Sequence, residues 1–291
     1  MDSTGQRLKI FCVYFDSRPV WRSDCVEPIQ AGRALTGTDL GMASDDTGDQ
    51  ISAENARYGE MTAWYWVWKN YLPRHPELEY VGFSHYRRFL DFSAPADGRT
   101  RRTTYSRFRA AFERHYGEEA VLKAVGDADL VMRGVADSGF ATMREQFVFG
   151  HPELADDWDR FAALVAERHP GSSREIEETL GCGRLAMELQ FVMRRELFVD
   201  FMEWAFSLCR ECERRWGWGG AEKGARARTP AFLVERFFLV WLAIRRSERP
   251  LKVKELPLVK LTGRPWWYRL ARPFIALLPA SAQDRIYHKY K

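Results

Sequence analysis

Several things are scarce or missing in this 291-residue chain. No uninterrupted apolar run reaches the ~20 residues that a bilayer-spanning helix requires. The opening, MDSTGQRLKIF, carries no apolar core of signal-peptide length. The cysteines are five, Cys12, Cys25, Cys182, Cys209 and Cys212, and an odd count in no paired C-x-x-C pattern argues against a disulfide framework. Cys209 and Cys212 would lie one helical turn apart, without matching ligands elsewhere, so a zinc site is not expected. Glycine-rich phosphate-loop motifs are absent. The net charge of +4 is too small to argue for nucleic acid. Together these absences predict a cytoplasmic globular protein without a membrane span.

What is present is aromatic and apolar. Hydrophobic residues make up 46% of the chain, enough for one large domain or a domain with an appendage. Eleven tryptophans are many for this length and point to an aromatic core, or to ring surfaces for sugars or lipid. Residues 8–15, LKIFCVYF, form a near-continuous apolar run with β-favouring residues, the pattern of a buried strand in a parallel sheet. Asp16, Ser17 and Arg18 follow at its carboxyl end, where ligands of open α/β sheets bind.

The most informative stretch is residues 58–90, read as a helix, a turn and a strand. Met61, Trp64, Tyr65, Trp68 and Leu72 share one face of the helix. Glu60 and Lys69 fall on opposite borders of that face, and Pro73 is expected to stop it. Residues 79–84 read as a strand, in which Gly82 admits a close neighbour. The strand ends in His85, Tyr86, Arg87 and Arg88. Two guanidinium forks beside an imidazole and a phenol suit the oxygens of an anion such as phosphate. A solvated loop is the plainer alternative.

Elsewhere the signals are weaker. Asp45, Asp46 and Asp49 crowd around Thr47 and Gly48, and such a loop can hold a hard cation or ribose hydroxyls. Ser52 is expected to cap the next helix, while Asn55 and Tyr58 are candidate ligand contacts. The basic stretch with Arg99, Arg101, Arg102, Arg107, Arg109 and Arg114 reads either as a flap over the site or as a solvated helix face. Residues 127–132 and 186–193 are predicted strands. Residues 196–215 are a predicted amphipathic helix, and residues 230–244 a buried one. Within the latter, Glu235 is flanked by Phe232, Phe238 and Leu239, so its carboxylate must be paired, neutral or functional. An ion pair and a role as base stand level. Residues 251–291 form a basic aromatic tail in which Trp266, Trp267 and Tyr268 sit among Arg264, Arg269 and Arg272. That composition suits a membrane surface, a helix folded back on the domain, or a dimer contact.

The segments PIQ at Pro28, DDTGDQIS at Asp45, YGEMTAWYWVWKN at Tyr58 and VGFSHYRRF at Val81 occur in a specific order. So do EQF at Glu145, FVMRRELF at Phe191 and FLVERFF at Phe232. In this the chain resembles a bacterial capsular and exopolysaccharide biosynthesis family first catalogued as a domain of unknown function, over residues 8–244. Two segments depart from the family pattern: the first strand ends in Tyr-Phe-Asp rather than a Thr-His-Lys-like sequence, and Leu189-Gln190 replaces a common Asn-Met pair.

The resemblance implies a glycosyltransferase of GT-A-like α/β fold: a Rossmann-type, mixed but mostly parallel sheet flanked by helices, with a C-terminal helical appendage. Residues 1–250 would be the transferase domain and residues 251–291 the tail. It implies a nucleoside-diphosphate sugar, a UDP-sugar foremost, carrying a hexose or galactofuranose to a growing or lipid-linked glycan at the inner face of the cell membrane. The expected catalytic set is Glu235, His85, Arg87 and Arg88. The expected donor contacts are Tyr14, Asp16, Asp45, Asp46, Asn55, Tyr58, Glu60, Lys69 and Tyr86. Glu145, Gln146 and His151 are expected on the acceptor side. No cofactor is required by this reading; Mg2+ or Mn2+ would sit at Asp45 and Asp46 if one is used. A homodimer is compatible with the tail. The competing expectation is a non-enzymatic protein that binds polyanions or a membrane surface through its arginines and tail.

Overall fold

The computed structural model describes residues 6–95, 99–218 and 226–262. Strand β1, Leu8–Tyr14, is buried along its whole length, and its side chains alternate between two cores. Phe11 and Val13 face one, Leu8, Ile10, Cys12 and Tyr14 the other. A strand covered on both faces has no solvated side to make polar, which explains the unbroken apolar run. β1 is flanked in parallel by β2 (Val26–Gln30) and β4 (Tyr80–His85), and β3 (Ala43–Ser44) extends the sheet beyond β2.

On the other side of β4 the direction changes. The helix–strand order continues through β5 (Arg88–Leu90), β6 (Thr100–Thr103), β7 (Leu130–Arg133) and the short pair β8 (Ala136–Asp137) and β9 (Arg184–Leu185) to β10 (Phe191–Arg194). β10 inserts antiparallel between β4 and β7, and β11 (Val253–Leu256) pairs parallel with β7. β12 (Leu258–Leu261) runs antiparallel to β5 and parallel to β6. The result is a mixed, mostly parallel ten-stranded sheet flanked by helices, as expected. The predicted strand over residues 186–193 is shorter than expected. It begins at Phe191, because Glu188 takes a left-handed backbone, φ 61°, that an extended strand does not accommodate.

Gly82 sits where three strands meet, opposite Ile10 on β1 and Val192 on β10. A Cβ there would lie 2.7 Å from Val192 Cγ2 and 2.8 Å from the Phe191 carbonyl oxygen, so the close approach demands glycine.

One face of the sheet carries the helices Met61–Trp66, Ala155–Arg168, Arg195–Trp216 and Thr229–Glu248; the last two form the C-terminal helical part. The other is covered by Tyr105–His115 and Glu118–Val125 around the buried Trp21. The Met61 helix does not stop at Pro73. It widens into a π-helical turn, Val67–Tyr71, and closes with a 3-10 turn, Leu72–Arg74. Along Tyr105–His115 the basic stretch resolves into a helix whose Phe108 and Phe112 are buried while Arg107, Arg109 and Arg114 are exposed.

β11 and β12 lie beyond the expected boundary at residue 250, so the sheet itself continues into what was expected to be tail. Residues 263–291, with Trp266, Trp267 and Tyr268, fall outside the described residues. Among the described residues no helix is long and apolar enough to cross a membrane.

Candidate active site

The carboxyl ends of the parallel strands β1 and β4 open on one edge of the sheet. β4 turns tightly into β5 there, with His85 paired to Arg88 across Tyr86 and Arg87. Because β10 is antiparallel to β4, its beginning reaches the same edge: Phe191 lies opposite Phe83. The residues just before β10, Glu188 and Leu189, are thereby delivered beside the His85–Arg88 turn. The first turns of the Thr229–Glu248 helix form the facing wall. Between them lies a cleft of about 150 Å3 lined by Glu60, Trp64, Arg88, Glu188, Arg228 and Glu235 among others.

Charges of both signs converge in this cleft. Arg88 Nη2 is 3.2 Å from Glu188 Oε1, and Arg88 Nη1 is 3.8 Å from Glu60 Oε1. Lys260, on β12, forms an ion pair with the second oxygen of Glu188. Glu235 Oε1 accepts the backbone N–H of Glu188 at 2.7 Å, and its other oxygen is 3.8 Å from the buried Arg236. Arg133, also buried, donates to the Met187 carbonyl and so fixes the same loop. Burial depresses the Arg133 pKa, while Glu188 and Glu235 work against that. The left-handed conformation of Glu188 is therefore held on three sides, which is how a strained residue persists.

Glu60 occupies the floor of the cleft. It follows Gly59, whose φ of 54° is paired with ψ of −129°, a region open mainly to glycine. Asn55 Nδ2 donates to the Gly59 carbonyl and to Thr62 Oγ1, pinning this turn. Loss of water pushes the Glu60 pKa up to about 7; Arg88 and Arg228 oppose the rise, and Glu235 and Glu188 add to it. His85, 5% exposed, has its Nε2 3.9 Å from Glu60. Burial first, then Arg88, Arg87 and Arg18, hold its pKa well below the usual histidine value, so it is neutral at pH 7.

A second cluster adjoins the first. The Tyr86 ring lies under two guanidinium groups, Arg18 and Arg87, each 5.6 Å from its centroid. Asp16 binds Arg18 through two hydrogen bonds of 2.9 Å. Tyr14 stacks on Tyr86 at 5.8 Å and is buried, its hydroxyl bonded to the backbone of Pro19 and Trp21. The four residues of the His-Tyr-Arg-Arg turn thus divide: His85 and Arg88 attend the cleft, Tyr86 and Arg87 the neighbouring basic rim.

Several expected contacts have other duties. Asp45 is fully buried and accepts from Gly32 N, Arg33 N and Ser52 Oγ, so it staples its loop. Ser52 caps no helix; besides that bond it accepts from Ala34 N. Asp46 accepts from Ser44 and lies 3.6 Å from Arg33. Among the described residues no group of three or more potential ligands could hold a metal ion. Lys69 stacks on Trp68, 3.4 Å from the ring centre, and does not line the cleft. Tyr58 lines it, but its hydroxyl donates to Glu213. Glu145 closes a capping box with Thr142, Gln146 accepts from Arg236, and His151 stacks at 4.4 Å on Phe232, which lines the cleft. Sequence reasoning missed Glu188, Lys260, Arg228 and Arg133 as members of the site.

The architecture is that of a GT-A-like α/β protein. It is similar to a solved structure of the bifunctional glycosyltransferase WbbM in its apo form, with a TM-score of 0.77 and 27% identity over 87% of this chain. The alignment covers 45% of the WbbM chain, so this chain spans less than half of that protein's length. Residues 9–246 match a family model described as "Domain of unknown function (DUF4422)", and the chain belongs to that family. No curated protein matches it.

Proposed function

We propose that this protein transfers a glycosyl group from a nucleoside-diphosphate sugar, a UDP-sugar foremost, to a hydroxyl of a growing or lipid-linked glycan. The observation that carries the reading is the convergence of Arg18, Arg87 and Arg88 around the buried His85, at the carboxyl ends of β1 and β4. In a fold shared with a glycosyltransferase, this is the edge where a diphosphate would rest. During transfer the bond from the anomeric carbon to the diphosphate oxygen breaks and leaves its electron pair on that oxygen. Arginine forks meet the growing negative charge in place or in support of a metal ion. His85, kept neutral, donates or accepts a hydrogen bond without adding charge.

The finer reading is a hexose or galactofuranose donor, capsular or exopolysaccharide product, and attachment at the inner membrane face through residues 263–291. Its support is the resemblance of the sequence motifs and the basic aromatic composition of those residues. The test is UDP release and glycan product from a panel of UDP-sugars, with and without chelator. Wild-type turnover that falls at least 100-fold in an Arg87→Ala, Arg88→Ala double variant is the expected result. Undiminished turnover in that variant would remove the proposed role, and salt-sensitive polyanion binding without turnover would favour the non-enzymatic alternative.

A further inference from the structure

Of the three carboxylates that line the cleft, Glu60 is the one whose ion-pair and hydrogen-bond partners among the described residues come no closer than 3.8 Å. Its side chain is 23% exposed, and among the described residues it accepts no side-chain or backbone hydrogen bond. Its neighbours stop just short of it: Arg88 Nη1 at 3.8 Å and His85 Nε2 at 3.9 Å. Two polar atoms at that separation can share a third atom placed at ordinary hydrogen-bond distance from both, ~2.8 Å. The other two carboxylates are committed. Glu188 is paired with Arg88 at 3.2 Å and with Lys260, and Glu235 accepts the Glu188 N–H at 2.7 Å.

We propose that Glu60 is the general base of the transfer reaction and that the gap among Glu60, His85 and Arg88 receives the acceptor hydroxyl. This rests on the glycosyl-transfer reading above and assigns the proton-accepting group within it. In the step, the acceptor O–H proton passes to Glu60 Oε1. The freed electron pair forms the new bond to the anomeric carbon, and the sugar–phosphate bond breaks with its pair going to the diphosphate. The acceptor oxygen then lies on the Glu60 side of His85 and Arg88 and the diphosphate on the Arg18 and Arg87 side, so attack comes from the face opposite the leaving group and inverts the anomeric configuration.

The groups facing Glu60 fit this role. Loss of water favours its acid, as do Glu235 on the facing helix and Glu188 beside the turn, while Arg88 on β5 and Arg228 before the long helix favour its anion. The balance lies near 7, where a base accepts a proton readily and releases it again after each turnover. Neutral His85 lends a hydrogen bond without competing for the proton. Glu188, fixed with φ 61°, acts as a positioning residue: it holds Arg88 between the two carboxylates.

The test compares wild type, Glu60→Gln and Glu60→Asp, using UDP for binding calorimetry and the UDP-sugar that wild type turns over for kinetics. The expected result for Glu60→Gln is unchanged UDP affinity and a kcat lower by about 10²–10⁴-fold. In wild type, log kcat/KM should rise with unit slope to a bend near pH 7; that limb should vanish in Glu60→Gln and persist, displaced, in Glu60→Asp. The product anomer should be inverted relative to the donor. Glu60→Gln with wild-type kcat and an intact acid limb, or a product of retained configuration, overturns the assignment while leaving glycosyl transfer standing. A wild-type chain that turns over no UDP-sugar removes the parent reading and this one with it.

Discussion

The carboxylate of Glu235 accepts the backbone N–H of Glu188 at 2.7 Å, so a helix residue holds the loop that faces it. The sequence left Glu235 open between base and ion-pair partner. Its geometry makes it an anchor, with Arg236 on its other oxygen. A glutamine retains an oxygen that can accept the same N–H, whereas alanine leaves that donor unmet at a cost of about 1.5–3 kcal/mol. Glu235→Ala should therefore lower kcat/KM by more than 10-fold and Glu235→Gln by only a few-fold. Equal damage from both would show that the charge itself matters.

Glu188 pairs with two cations but pays a backbone strain, since a non-glycine residue at φ 61° is disfavoured. Glu188→Ala and Glu188→Gly both remove the carboxylate, yet only glycine relieves the backbone. Thermal unfolding should rank Glu188→Gly above Glu188→Ala by about 1 kcal/mol. Both should lose activity, because Arg88 then lacks its nearer partner.

Glu60 also leaves a trace in stability. Its pKa is raised in the folded protein to about 7 from the 4.5 of an ordinary glutamate. Between those values the folded state binds more protons than the unfolded one, so stability falls as pH rises through the window. The loss above pH 7 amounts to about 3 kcal/mol at most. Glu60→Gln should match wild type near pH 4.5 and exceed it above pH 7. Melting curves of the two proteins across that range check the sign; a constant difference would contradict it.

Gly82→Ala tests the three-strand junction independently of function. Its added carbon meets the Phe191 carbonyl at 2.8 Å, and a backbone atom in a sheet cannot step aside as a side-chain end would. A destabilisation of about 2–3 kcal/mol is expected in denaturant unfolding. Wild-type stability would mean that β10 approaches β4 less closely than this geometry has it.

The fold was largely legible because period and composition report burial directly. LKIFCVYF announces a doubly covered strand, and the aromatic face of the Met61 helix announces contact with a sheet. The His85–Arg88 turn stood out in the sequence because two arginines close a strand end, although its Tyr86 also packs into the core around Trp21. The rest of the site was hidden by topology. Nothing local marks Glu188; it joins the cleft because β10 runs antiparallel, and strand direction is set by long-range pairing. Arg133 is encoded at the end of a strand that reads as plain core, and its partner is the Met187 carbonyl, which no side-chain pattern reveals. The loop at Asp45 shows the opposite case, a pattern whose partners lie within its own segment. A carboxylate cluster advertises a ligand, but Asp45 spends both oxygens on its own loop.

Lys260 belongs to β12, fourteen residues past the end of the family match at 246, and β12 is joined to β5 and β6 by backbone pairing. Likeness of sequence and integrity of the sheet thus draw different frontiers. A polypeptide trimmed to the matched segment would expose the backbone of Leu130–Arg133 as a raw edge, and apolar edges of that kind recruit other chains. It would also strip Glu188 of one counter-charge, so excision on grounds of homology alone would yield an aggregate in place of a folded domain.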